Sequence, residues 1–151
     1  MAPEHTFLLE KARKYCAYQE RSIFEVKTKL ISWNIKDKII SEIILSLKKD
    51  NYINEDRFAA AFALGKMRNN KWGRNKITYA LLQKHIPELT IQIALNSLDE
   101  NEYLETLKSV INSKKIDDEN EFRRNNKLVR FAKQKGFQPE LVRSEERRVG
   151  K

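Results

Sequence analysis

Asn51-Tyr52-Ile53-Asn54-Glu55-Asp56-Arg57-Phe58-Ala59 is the stretch on which the fold turns, because one helical stripe ends just before it and another begins inside it. Asn54 is a good N-cap, and Glu55 and Asp56 put carboxylates into the first turn that follows, where the helix dipole favours them. Upstream, Ile39, Ile40, Ile43, Ile44 and Leu47 form a wide apolar stripe at helical spacing. It closes on Lys48-Lys49, cations suited to the negative end of the dipole. Further upstream, Ile23, Val26 and Leu30 share one face, and Ser22 with Glu25 forms a capping box at its start.

Shifting the chain by about 51 residues lays this pattern on itself, which marks internal repetition. Val26 falls on Ile77 and then Leu128; Leu30 on Leu81 and Ala132; Ile35 on Ile86 and Phe137; Ile40 on Ile91 and Val142. Ile44 and Leu47 fall on Leu95 and Leu98, Phe7 on Phe58, and Tyr52 on Tyr103. In the second copy Phe58, Ala61 and Phe62 face inward, Gly73 marks a break, and Pro87-Glu88 open the third helix. In the third, Tyr103, Leu107, Val110 and Ile111 supply one face and Leu128 and Phe131 the next. There the last helix starts near Pro139 and fails, because Glu145 and Glu146 stand where the earlier copies have Ile43/Ile44 and Ala94/Leu95.

The expectation is an all-α protein of tandem three-helix repeats, stacked into an elongated, curved array because each small unit buries little core alone. Residues 1–50 and 51–98 form the first two units, 99–142 an incomplete third, and 143–151 a disordered or foreign tail.

Composition agrees. Among 151 residues, 40% are hydrophobic and 34% charged, enough for a core under a charged surface. Four Gly and three Pro are too few for an all-β fold with its many tight turns. A formal net charge of +9 suits an anionic partner. Cys16 is the only cysteine, which excludes an intramolecular disulfide and a four-cysteine zinc site; it reads as a packing residue. With no secretory leader and no apolar run of membrane-spanning length, cytoplasmic residence without membrane attachment is the expectation.

No catalytic, cofactor or metal constellation stands out, so a non-enzyme is expected. His5 falls in an unstructured start and His85 near a helix end, and there is no Gly-rich phosphate loop. Asp99-Glu100-Glu102 and Asp117-Asp118-Glu119 suit helix starts and loops. Two basic blocks carry no acid: Lys66, Arg68, Lys71, Arg74, Lys76 and Lys84, then Arg123, Arg124, Lys127, Arg130, Lys133 and Lys135. Such same-sign runs point to a binding surface, and Arg123, Lys127 and Arg130 share a helical face. Trp72 inside the first block is either an interface anchor or stacking platform, or a ring packed over the turn at Gly73. Trp33 reads as a core lid, and Asp56 and Arg57 as a structural ion pair or an orienting element between copies.

The ordered motifs resemble those of the RecX family across roughly residues 7–142. Residues 51–59 are similar to its central Gly-Tyr-Leu…Arg-Phe-Ala motif, with Asn51 for the usual Gly and Ile53 for the usual Leu. Arg21-Ser22, Glu25 and Lys29-Leu30 resemble an upstream segment; Trp72-Gly73-Arg74 with Ile77 resembles the Gly-x-x-(Lys/Arg)-Ile segment. Lys127, Arg130-Phe131 and Lys135-Gly136-Phe137 resemble the family's pattern in the third copy. The resemblance implies structural roles for Tyr52, Asp56, Arg57, Phe58, Gly73, Gly136 and Phe137. It also implies a regulator that binds RecA filaments on DNA and inhibits recombinase and coprotease activity in DNA repair and the SOS response; a monomer is the natural default for a repeat array bound to a filament. Lys66, Arg68, Lys71, Trp72, Arg74, Lys76, Arg123, Arg124, Lys127 and Arg130 are the candidate contacts to RecA or to single- or double-stranded DNA. Charge and helices alone also admit a sequence-independent DNA-binding protein acting without RecA, or a scaffold for another acidic protein.

Overall fold

The structure, a computed structural model, describes residues 3–149. Among them it forms nine helices and no strand: α1 Pro3–Tyr18, α2 Ile23–Ser32, α3 Asp37–Lys49, α4 Glu55–Asn70, α5 Arg74–Gln83, α6 Glu88–Asn96, α7 Glu100–Ser113, α8 Glu121–Gln134 and α9 Pro139–Val149. No helix among the described residues is long and apolar enough to cross a membrane.

Polar side chains start the helices. The Ser22 hydroxyl accepts from the Glu25 amide at 3.1 Å while the Ser22 amide donates to the Glu25 carboxylate at 3.0 Å, which closes the capping box. Asn54, Asp99 and Asn120 cap α4, α7 and α8 in the same way, each accepting from the amide three residues on. Each such cap contributes about 1 kcal/mol.

The 51-residue register reappears in the backbone. Asn34, His85 and Gly136 all have positive φ, at 60°, 61° and 101°. In each case the next residue's amide reaches back to the helix: Ile35 to the Leu30 carbonyl at 3.3 Å, Ile86 to Leu81 at 3.2 Å, and Phe137 to Ala132 at 3.1 Å. This is a Schellman-type end, in which a left-handed residue satisfies orphan carbonyls and turns an apolar residue back onto the helix. Asn51, at φ 63°, is a further left-handed turn. Asparagine tolerates this conformation second only to glycine, which explains how it stands where the resembling motif has Gly.

Burial falls into two clusters. One joins Leu9, Ala12, Cys16, Val26, Leu30, Ile40, Ile43, Ile44, Leu47 and Ile53 from α1–α3 and the turn after them. The other is continuous from Phe58 to Val142 and includes residues of α4–α9. Burial pushes the Cys16 thiol up to about 11, as expected of a packing residue.

Several expectations are corrected. His5 lies inside α1, and residues 143–149 continue α9 as a helix through Val149; Gly150 and Lys151 lie outside the described residues. Glutamate and arginine are good helix formers, and the buried Val142 anchors the helix. The expected lack of an apolar stripe surfaces differently: Glu145, 51 residues after Ala94 and 102 after Ile43, is itself buried with 2% exposure. Burial also pushes the Glu146 carboxyl above the usual carboxylate range. Ala61 is exposed, and α4 turns Phe58, Ala59, Ala63 and Met67 inward. On α8, Val129 and Ala132 are buried while Leu128 and Phe131 flank them half-buried. Phe7 is 70% exposed although its counterpart Phe58 is buried, because α1 turns Leu9, Ala12 and Cys16 inward.

The α5 start and the α8–α9 turn meet backbone to backbone. The Gly73 amide donates to the Lys135 carbonyl at 2.8 Å and the Asn75 amide to the Gly136 carbonyl at 2.9 Å. A Cβ on Gly73 would lie 2.4 Å from the Gly136 and Phe137 backbone, and one on Gly136 2.4 Å from Lys76 Cβ. Gly73→Ala or Gly136→Ala should therefore cost ~2 kcal/mol or more in urea unfolding. Gly65→Ala, whose Cβ would meet only the Asn69 side chain at 4.0 Å, should stabilise α4 by about 0.5–1 kcal/mol. In the native state Cys16 should resist an aromatic disulfide reagent at roughly pH 8 and react on unfolding; prompt labelling of the folded protein would contradict its burial.

Candidate partner-binding surface

The first basic block wraps the corner between α4 and α5. Lys71, exposed and left-handed at φ 55°, ends α4, and Gly73 starts α5 against the α8–α9 turn. Arg68 and Arg74 are committed to α7: Arg68 pairs with Glu102 at 2.8 Å and Arg74 with Glu100 at 2.5 Å. The Arg74 guanidinium also lies 3.9 Å from the centre of the Tyr103 ring. The buried Tyr103 hydroxyl accepts from the Arg74 amide at 2.9 Å and donates to Gln138 at 2.7 Å. Burial raises its pKa above the ordinary phenol value, which keeps the donated proton in place.

Trp72 is half-buried against the larger core and also carries cations. Lys66 Nζ lies 5.0 Å and Lys76 Nζ 4.7 Å from its ring centre, so both sequence readings of this residue describe part of it. Beside it runs a shallow groove of about 570 Å³ between α2, α4 and α5. Lys66, Trp72 and Lys76 come together here with Phe24, Phe62, Tyr79 and Lys84, which sequence reasoning left off the candidate set. A signal was present: Lys76, Tyr79 and Gln83 lie three and four residues apart on one face of α5.

The second block is partly neutralised from within. Asp118 receives Lys127 at 2.9 Å and Arg123 at 3.3 Å, and its backbone carbonyl accepts from Arg124 at 3.1 Å. The bond from Lys127 and that from the Asn120 amide hold the Asp118 carboxyl below its ordinary range. Arg130 stays exposed, with no ion pair among the described residues. Lys135 donates to the Asn70 carbonyl at 3.0 Å, tying α8 to the end of α4.

The central motif acts at the junction of α1–α3 with α4. Arg57 does not pair with Asp56, which is exposed; its guanidinium grips Glu20 at 2.7 Å and donates to the Asn51 carbonyl at 3.0 Å. Nearby, Lys84 pairs with Glu25 at 3.1 Å and the His85 ring stacks on Phe24 with centroids 4.6 Å apart. Tyr52 packs half-buried on the smaller core with Arg13 over its ring, Trp33 lies against the same core, and Phe58 and Phe137 are buried. A double-mutant cycle on Glu20→Gln and Arg57→Gln should give a coupling of about 0.5–1 kcal/mol that shrinks with added salt; a coupling indifferent to salt would deny that charge holds this junction.

The comparisons with known proteins fit this architecture. A family model described as RecX, second three-helix domain, matches residues 54–95. The regulatory protein RecX of Lactobacillus johnsonii is 32% identical over 105 residues, covering 70% of this chain and 39% of that protein. That of Clostridium tetani is 31% identical over 129 residues, covering 83% and 57%. The chain thus spans from two fifths to just under three fifths of these two relatives. The crystal structure of RecX from Lactobacillus salivarius superposes with a TM-score of 0.84 over 99% of both chains at 23% identity, which establishes a shared fold. The motif order, the domain match and the curated relatives agree, and together they support the RecX family for this chain.

Proposed function

We propose that the chain is a non-enzymatic regulator that binds RecA filaments on DNA, as a monomer in the cytoplasm, and inhibits recombinase activity in DNA repair and the SOS response. The observation that carries this reading is the chain's similarity to curated relatives that are regulatory proteins. The all-helical layout supports it: the helices follow in three successive triplets, and stacked helical repeats suit elongated partners. The charge distribution narrows the contact set. Arg68, Arg74, Arg123 and Lys127 are engaged in internal ion pairs, whereas Lys66, Lys71, Lys76 and Arg130 have none among the described residues. The latter four are the better candidates to meet carboxylates or phosphates of the filament, since an internally paired cation must first give up its partner.

ATP turnover by RecA on single-stranded DNA tests the reading. Inhibition should appear well below one copy of this protein per RecA. Charge reversal at Lys71 and Arg130 should raise the amount needed by roughly tenfold while leaving helicity intact. Full turnover at stoichiometric amounts would reject the proposed activity; equal inhibition by the reversed variant would reject the proposed contacts.

A further inference from the structure

The groove between α2, α4 and α5 has a composition that filament binding does not explain. Its walls alternate aromatic rings with ammonium groups: Phe24, Phe62, Trp72 and Tyr79 with Lys66, Lys76 and Lys84. No carboxylate lines it; the nearest acid contact is Glu25 on Lys84. Tyr79 projects from α5 with 66% of its surface exposed, and Phe24 is 39% exposed although it stacks on His85. The Tyr79 ring has no hydrogen bond or ring contact among the described residues. The lysines are already placed, with Lys66 Nζ 5.4 Å from the Phe62 ring and both Lys66 and Lys76 within 5.0 Å of Trp72. Cation–π attraction thus holds their charge at the groove before any ligand arrives, which lowers the ordering cost of binding.

An acidic protein segment would use the cations and leave the rings idle. A duplex would offer phosphates while its bases stayed stacked inside. A single strand offers both phosphates and open base faces, and this pairing of charge with stacking surface is how such strands are bound without sequence preference. We propose that this groove seats single-stranded nucleic acid, with a base stacked on Tyr79, a neighbouring base against the exposed part of Phe24, and Lys66 and Lys76 on the flanking phosphates. Lys84 joins them at the cost of its pair with Glu25. Lys66 and Lys76 also belong to the contact set proposed for the filament, but a test without RecA separates failure of the groove from failure of that reading.

The test uses the full chain and an oligothymidylate of about 12 nucleotides, with no RecA present. Trp33→Phe leaves Trp72 as the sole tryptophan of the two in the chain. Its emission should quench on titration, and binding should weaken steeply between about 50 and 200 mM salt. Tyr79→Ala, at an exposed position that leaves circular dichroism unchanged, should weaken binding roughly fivefold or more, and Tyr79→Phe should restore it. A matched variant with Lys38, Lys48 and Lys49 changed to Ala, all exposed on α3, should bind much better than one with Lys66, Lys76 and Lys84 changed to Ala. Three outcomes would overturn the assignment: wild-type binding by Tyr79→Ala, equal losses in the two lysine variants, or equal competition by duplex DNA or polyglutamate.

Discussion

A left-handed residue at the end of the second helix of each triplet governs much of the molecule. Asn34, His85 and Gly136 reverse the chain at equivalent places, and the amides of Ile35, Ile86 and Phe137 close each turn on the helix just ended. The turn fixes the angle at which the next helix leaves and delivers an apolar residue to the interior. Without it the stripes of α3, α6 and α9 would not face their neighbours. Its three residues share only tolerance of the conformation, and two of them have a second task. His85 stacks on Phe24, and Gly136 admits Gly73 within a distance no side chain would permit. Only at Gly136, where the conformation and a backbone contact coincide, is the residue type forced.

The two junctions along the chain differ in kind. Helices α4–α9 share a continuous buried cluster, reinforced by the Gly73–Gly136 contact and the Arg74–Tyr103–Gln138 hydrogen bonds. Helices α1–α3 keep their own cluster and meet α4 and α5 through Arg57–Glu20, Lys84–Glu25 and the Phe24–His85 stack. Ion pairs still open to solvent, as these half-buried ones are, contribute roughly 0–1 kcal/mol each, whereas each large aliphatic side chain buried in a shared core contributes about 1.5–3 kcal/mol. The first triplet is therefore the one held by weaker, salt-sensitive contacts. The aromatic and lysine groove lies along that same seam, since Phe24 and Tyr79 come from opposite sides of it.

Much of the fold was legible because helix periodicity and capping are local. Ser22, Asn54 and Asp99 cap where their spacing says, and the stripes Ile40–Leu47 and Tyr103–Ile111 are buried as their period requires. The failures came where local pattern and tertiary packing diverge. Leu128 and Phe131 look like a core face, yet α8 rotates so that Val129 and Ala132 take it. The Glu145-Glu146 pair looks like the end of a helix, yet the helix persists and carries a carboxylate into a position that is Ile43 and Ala94 in the other triplets. Periodicity reads apolarity and does not register a polar residue held in place by its neighbours. Left-handed turns at Asn34 and His85 were also invisible, because neither residue type demands that geometry.

The candidate surface was less legible than the fold for a related reason. A run of cations without an acid suggests a free face, but acids outside the run reach back to it: Glu100 and Glu102 take Arg74 and Arg68 from far along the chain, and Asp118 takes Arg123 and Lys127 from just before α8. The first two pairs brace α7 against α4 and α5 and the Asp118 pairs tie the preceding loop to α8, so much of the two basic blocks works for the fold. What remains for a partner is smaller and chemically sharper than net charge implies. Lys66 and Lys76 sit beside Trp72, with Tyr79 open next to them, while Lys71 and Arg130 stand alone. Isolated cations and a ring-lined groove ask for different ligands, the first for scattered negative charge and the second for charge joined to a flat aromatic face. The filament binding proposed above would present both kinds of surface, so the two sets of contacts are compatible on one molecule without having to serve the same event.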